Sequence, residues 1–166
     1  MRLWRLVKTR YAATAFDGEG ARLHGARWNS VGVRVAYAAD SSALAVLEVL
    51  VNLGKVSVLP SYSLVAGKLP SSLMDDLEES TLPAGWNESP TPPDVQAIGD
   101  AWIGSGRFLA LRVPSAIVQG SYSVLINPAH PDFGQFILEA TTPYSFDARL
   151  MKLPGHVKSR RNLGVP

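Results

Sequence analysis

The sequence predicts a single α+β domain in which curved, mainly antiparallel sheets carry a few flanking helices. Three observations lead there. Helix-type segments are interleaved with many short strand-type segments, and the two do not alternate in the regular βαβ order that a parallel sheet requires. No internal repeat or low-complexity tract interrupts the chain. With 166 residues, 46% hydrophobic and 18% charged, the chain is large enough for one core and far from the profile of disorder.

Residues 3–7 alternate around Trp4 and suit a half-buried first strand. Between 17 and 32, Gly18, Gly20, Gly25 and Gly32 stand with Asn29 and Ser30, which predicts loop backbone able to approach a ligand closely. Residues 33–39 are strand-like. Asp40, Ser41 and Ser42 then offer acceptors for the free amides of a helix start, and a helix is predicted over 43–52, with Gly54 as its stop. Residues 57–69 form a β-rich stretch broken by Pro60 and ended by Pro70.

From 70 to 93, the prolines Pro70, Pro83, Pro90, Pro92 and Pro93 and the acidic Asp75, Asp76, Glu78 and Glu79 predict mostly surface connection, with room for one short helical turn. Thr91 then reads as an N-cap with Pro92 at the first helical position. That helix turns Ala97, Ala101 and Trp102 inward and frays at Gly104 and Gly106. Residues 108–113, 124–126 and 136–140 complete the strands, separated by Pro114 and by the turn residues of 127–131 and 141–143.

Composition narrows the function classes. Without cysteine there is no disulfide and no thiolate zinc site, and His24, His130 and His156 are too scattered for a metal cluster. No stretch approaches the roughly 20 apolar residues of a membrane span, and the first residues lack the apolar core of a signal peptide, so a cytoplasmic location is expected. A formal charge of +2 is spread along the chain, with Lys158, Arg160 and Arg161 in a basic tail over 155–166. That pattern argues against direct DNA binding, which concentrates charge along one face.

Glu48 is the most informative residue. Every other position from 43 to 51 is apolar, so the helix has no polar face, should be largely buried and takes a carboxylate in with it. Burying an unpaired carboxylate is costly, and active sites are where proteins accept that cost; the alternatives are a structural ion pair or an edge position reaching water. Arg27, in Gly25-Ala26-Arg27-Trp28-Asn29, carries a planar fork of donors suited to phosphate or ribose hydroxyls, although an arginine in such a loop also reads as plain surface. The glycine spacing does not follow a strand and open a helix, so a dinucleotide fingerprint is excluded. Tyr37 ends the strand that leads into the Glu48 helix, where its ring either stacks on a flat ligand or fills the core. Ser115 after Pro114 is a site candidate or a turn residue.

Two familiar hydrolytic arrangements find no support. There is no Gly-x-Ser-x-Gly elbow, and a glycosidase pair would need a second enforced carboxylate, which Asp17, Asp132, Glu139 and Asp147 do not provide.

Taken in order, Arg10-Tyr11, Ala15-Phe16-Asp17-Gly18, Gly25-Ala26-Arg27-Trp28-Asn29, Val35-Ala36-Tyr37-Ala38, Ala45-Val46-Leu47-Glu48, Val113-Pro114-Ser115, Leu125-Ile126-Asn127-Pro128 and Phe146-Asp147-Ala148-Arg149-Leu150 resemble the RES domain family across nearly the whole chain. The resemblance implies a fold like that of ADP-ribosyltransferase toxins. It implies the toxin of a bacterial toxin–antitoxin pair, held in a larger complex by an antitoxin with a Xre-type helix-turn-helix. The implied activity is destruction of NAD+, a substrate and not a cofactor, with water or inorganic phosphate as acceptor. Two further readings stay open: transfer of ADP-ribose to a macromolecule, and an NAD-binding regulatory module without catalysis.

The same resemblance implies the roles. The family's arginine, glutamate and serine fall on Arg27, Glu48 and Ser115, and Tyr37 would stack on nicotinamide. Arg10, Tyr11, Trp28, Asn29, Ser123 and Asn127 would contact substrate. Two departures stand out: Ala26 replaces a glycine common before the arginine, and Ser121-Tyr122-Ser123 stands where Glu and Asn are common, so that Ser121 or Ser123 is placed to take over from Ser115. A carboxylate opposing a ribosyl cation acts in its ionised form, so Glu48 is expected to be ionised without a raised pKa.

Overall fold

The computed structural model describes residues 1–53 and 61–150. The first strand, β1 (Arg2–Lys8), buries Leu3 and Leu6 and lies inside the sheet, not at its edge. It pairs antiparallel with β3 (Tyr62–Lys68) along its whole length, from Arg2 opposite Lys68 to Lys8 opposite Tyr62. On its other side it meets β2 (Ala36–Ala39) through one register pair, Trp4 opposite Ala39.

The remaining strands are β4 (Met74–Asp76), β5 (Ala110–Pro114), β6 (Tyr122–Ile126) and β7 (Ile137–Tyr144). Together they form a seven-stranded sheet in the order β4-β5-β6-β2-β1-β3-β7, antiparallel throughout except for β4 with β5. The α+β class is as expected. Because β1 and β2 share a single pair, the sheet parts between them, and backbone groups that a neighbour would satisfy must find other partners. Arg5 supplies one: its Nη1 donates to the carbonyl of Tyr37 at 3.0 Å.

Consecutive residues of β6 belong to different clusters. Val124 and Ile126 pack with Leu3, Phe16, Val65 and Leu109, whereas Leu125 packs with Trp28, Trp86, Val95 and Val113. Both faces of this half of the sheet are therefore covered, which is why its strands read as apolar runs without alternation.

Among the described residues three α-helices flank the sheet: α1 (Glu19–His24), α2 (Ser42–Val51) and α3 (Pro93–Ser105). The α2 helix begins as expected, with the Ser41 hydroxyl accepting from the Leu44 amide. Several other expectations are corrected. Residues 17–32 are not all loop, because Gly18 (φ 73°) and Gly25 (φ 66°) bracket α1 with positive-φ ends. In this case the glycines mark helix boundaries instead of an irregular segment.

The acidic 70–93 stretch contains β4, a three-residue strand in which the carboxylates of Asp75 and Asp76 stay exposed and whose strand character comes from pairing with β5. Thr91 is not the cap of α3; Pro92 occupies that position and Pro93 opens the helix, with no side-chain cap bond. Ala97 and Ala101 face solvent, while Val95 and Gly99 are buried, because the glycine edge of the helix abuts the Trp28 carbonyl. In α2 only Leu44, Ala45 and Val46 are buried; Leu47 and Val51 are 36% and 59% exposed, so the helix leans on the sheet by one face alone.

β7 runs on through Pro143, which an edge strand tolerates because one side of its backbone has no neighbour in the sheet. The expected strand start at 57–60, the Gly54 stop and the 155–166 tail lie outside the described residues. No helix among the described residues is long and apolar enough to cross a membrane.

Candidate active site

Where β1 and β2 separate, a cleft of about 840 Å³ opens, within the range of sites that hold a cofactor-sized ligand. Arg5 of β1 and Tyr37 of β2 lie at its floor, Glu48 of α2 on one wall, and Arg27 with the 87–91 segment on the other.

Glu48 reaches this cleft because β2 runs directly into α2. Its Oε1 accepts a hydrogen bond from the Ser123 hydroxyl at 3.3 Å, and β6 brings that serine alongside because Ser123 stands opposite Ala39 in the sheet register. Burial raises the Glu48 pKa above the ordinary carboxylate value, while the Ser123 bond and the charge of Arg27 oppose the rise. The expectation of an unraised pKa is therefore corrected: the cleft wall removes more solvation than these two partners return.

Arg27 sits at the tip of a tight turn closed by reciprocal bonds between Ala26 and Asn29. Its Nη1 donates to the carbonyls of Trp86 at 2.7 Å and Glu88 at 3.0 Å. Burial lowers its pKa, and Glu48 across the cleft pushes the other way. No direct ion pair joins the two. Arg5 is the more enclosed cation, its pKa lowered by burial to about 10, which still leaves it charged at neutral pH. Among the described residues it has no carboxylate in ion-pair contact, so its charge is available to an anionic ligand in the cleft.

Tyr37 is held through its hydroxyl by two bonds. Its hydroxyl donates to Asn29 Oδ1 at 2.8 Å and accepts from the Trp28 amide at 3.1 Å, and burial drives its pKa well above the usual phenol range. Tyr37 lines the cleft, and its hydroxyl ties β2 to the Arg27 turn.

The other sequence candidates divide. Trp28 and Ser123 line the cleft with Arg27, Tyr37 and Glu48. Asn29 does not: it is wholly buried behind the turn, and its Nδ2 donates at 3.0 Å to the carbonyls of Ala21, Ser30 and Val33. Ser115 is buried too, its hydroxyl accepting from the amides of Ile117 and Val118 in a turn, so Ser123 is the serine that meets Glu48. Asn127 accepts from the Ala129 amide in another turn. Arg10 stacks on Tyr11 and lines a separate cavity of about 200 Å³ with Lys8, Thr9 and Ser61. Arg10, Tyr11, Asn29, Ser115 and Asn127 thus lie outside the lining of the cleft.

Arg5, Trp4, His24, Asn52, Asn87 and Gln96 line the cleft without having been singled out in the sequence. Among the described residues no group of His, Asp or Glu is placed to hold a metal ion.

The RES domain family model matches residues 2–147 of this chain. The chain belongs to the RES domain family. This RES domain is 37% identical over 153 residues to a Photorhabdus laumondii protein named Toxin Res, covering 92% of this chain and 98% of that one. It is 36% identical over 154 residues to a Sphingobium protein named Prs ADP-ribosylating toxin, covering 90% of this chain and 96% of that protein. Its fold resembles the M. tuberculosis MbcT–MbcA toxin–antitoxin crystal structure, with a TM-score of 0.73 at 22% identity, covering 92% of this chain and 87% of that one. The parted sheet is therefore the RES fold.

Proposed function

We propose that this RES domain is a toxin that cleaves the nicotinamide–ribose bond of NAD+. The observation that carries the reading is the cleft at the parted sheet. Two guanidinium groups, Arg5 and Arg27, share it with a half-buried carboxylate, Glu48. Cations suit the diphosphate, and a fixed carboxylate suits the positive charge that develops on the ribose as the bond breaks.

In this mechanism the C1′–N bond electrons leave with the pyridinium nitrogen, so nicotinamide departs neutral and no general acid is needed. Glu48 acts as the carboxylate, opposing the ribosyl cation more strongly in the transition state than in the ground state. An oxygen of water or inorganic phosphate attacks C1′, yielding ADP-ribose or its 1-phosphate, and the acceptor's proton passes to solvent. The Tyr37 ring packs against nicotinamide, and Arg5 and Arg27 hold the diphosphate. The names carried by the Photorhabdus and Sphingobium relatives support a toxin. The Sphingobium name also favours a second reading, transfer of ADP-ribose to a protein, which differs only in the acceptor. We assign neutralisation to a Xre-type antitoxin in a higher-order cytoplasmic complex, with no DNA contact by this chain.

Incubating the protein with NAD+, with and without phosphate, and identifying products by mass spectrometry tests the reading. Release of nicotinamide with free ADP-ribose or its phosphate is expected. Intact NAD+ after prolonged incubation overturns it, and ADP-ribose found only on protein replaces it with the transferase reading.

A further inference from the structure

The turn that carries Arg27 is braced from the outside by one face of α3. Ala26 and Asn29 close the turn by bonding each other's backbone, at 3.0 and 3.4 Å. The same two carbonyls accept from Gln96 Nε2, at 2.9 Å from Ala26 and 3.2 Å from Asn29. A carboxamide nitrogen has two hydrogens and each carbonyl two lone pairs, so one side chain spans the base of the turn. The neighbours of Gln96 on that helix face make the approach close. A Cβ on Gly99 would stand 1.8 Å from the Trp28 carbonyl oxygen, and Asp100 accepts from the Ser30 amide at 2.9 Å. These positions are i, i+3 and i+4, the spacing that lines up one helical face.

The segment leading into α3 holds the other end of the same arginine, through the carbonyls of Trp86 and Glu88. Backbone and guanidinium of Arg27 are thus located by one continuous stretch of chain. Gln96 also lines the cleft, where Asp100 does not. We infer that Gln96 is a positioning residue of the NAD+ site, acting through Arg27 by fixing both carbonyls that close its turn. The inference rests on the NAD+ reading for its functional effect, and on geometry alone for its effect on Arg27.

The test uses the full chain and Gln96→Met, which keeps length and bulk but removes both donors. The helix keeps its other anchors, Val95 in the core and the Asp100–Ser30 bond, so the fold should persist. Gln96→Met should lower kcat/KM for NAD+ about tenfold, mainly through KM, since a misplaced grip on diphosphate weakens ground and transition states together. The thermal midpoint should change little, and the Nε–H resonance of Arg27 should shift or broaden. In an Arg27→Lys background, whose own activity is already lowered, the same substitution should change kcat/KM less than about twofold, because the pair acts as a unit.

Equal losses in both backgrounds overturn the inference, as does a wild-type kcat/KM with an unmoved Arg27 resonance. If the wild-type protein leaves NAD+ intact, the NAD+ reading fails by itself. The Arg27 resonance then decides the positioning claim: shifted in Gln96→Met, it stands; unmoved, it falls.

Discussion

The two walls of the cleft are built to different standards. On the arginine wall, Arg27 is fixed through Trp86 and Glu88, its turn through Gln96 and Tyr37, and the following residue through Asp100. On the glutamate wall, the Glu48 carboxylate has one hydrogen bond among the described residues, at 3.3 Å from Ser123, and sits on a helix with its outer face in solvent. A rigid cation and a sparingly bonded carboxylate suit different tasks. The first grips a charge that is present throughout the reaction. The second keeps lone pairs free for a charge that appears only in the transition state. If that division is right, substitutions on the two walls should separate into effects on KM and effects on kcat.

The largest effect should come from the glutamate wall. Glu48→Gln keeps the shape and removes the charge, and losses of about 10²–10³-fold in kcat are typical when one electrostatic stabiliser of a transition state is deleted. Stability should move the opposite way. Burial raises the Glu48 pKa in the folded state, so the fold holds that proton longer than the unfolded chain does. Its contribution to stability therefore falls as pH rises from the ordinary carboxylate value through the raised one, and at neutral pH the ionised group destabilises. Thermal melts at pH 7 should show Glu48→Gln slightly more stable than wild type. An inactive variant that is also less stable would mean that Glu48 is structural.

On the arginine wall the next largest effect is steric. Gly99→Ala drives a methyl into the Trp28 carbonyl, and because backbone must move, the cost should reach or exceed the upper end of the usual 1–3 kcal/mol for overpacking. A lowered thermal midpoint with a raised KM is expected; a midpoint matching wild type would show that α3 yields easily and braces little.

Arg5 at the cleft floor should behave as the arginine wall does. Arg5→Lys keeps a charge but loses the fork that reaches the Tyr37 carbonyl and a ligand together, so KM for NAD+ should rise about tenfold, the worth of one charge-assisted hydrogen bond. Wild-type KM should stay flat to about pH 9, because Arg5 titrates only near 10. In the lysine variant KM should climb at lower pH, since an ammonium buried in the same place deprotonates more readily. A flat profile for both proteins would place Arg5 outside the substrate contacts.

Glu48, Tyr37 and Arg27 were legible in the sequence because each contrasts with its local pattern: a carboxylate in an apolar helix, a tyrosine at a strand end, a guanidinium in a glycine-rich turn. Arg5 offers no such contrast. An arginine in an alternating strand reads as solvent-facing, and only the parting of β1 from β2, a contact between residues 35 apart, turns it into a cleft residue. Gln96 is hidden for a similar reason, since a glutamine on a helix is ordinary surface until the turn from residue 26 to 29 lies against it. The choice between Ser115 and Ser123 required sheet register, which places Ser123 opposite Ala39, one turn of chain before α2. Helix α1 and strand β4 are the converse: the glycines of 18–25 signal loop but mark helix ends, and the acidic residues of β4 signal surface loop that pairing with β5 overrode.

Ser123 supplies the smallest and most discriminating effect. Its hydroxyl lowers the Glu48 pKa against the rise caused by burial, so removing it leaves desolvation less opposed. The proposed mechanism needs ionised Glu48, and kcat/KM should therefore fall on the acid side as pH drops through the raised pKa. In Ser123→Ala that acid limb should move to higher pH, with less than about tenfold loss on the plateau, since one neutral hydrogen bond contributes about 1 kcal/mol. Ser115→Ala, which loses two turn bonds and none to the carboxylate, should leave the limb where it is. If Ser115→Ala moved the limb and Ser123→Ala did not, Ser115 would be the serine coupled to Glu48. The loosely held carboxylate would then answer to the Ser115 turn instead of to β6.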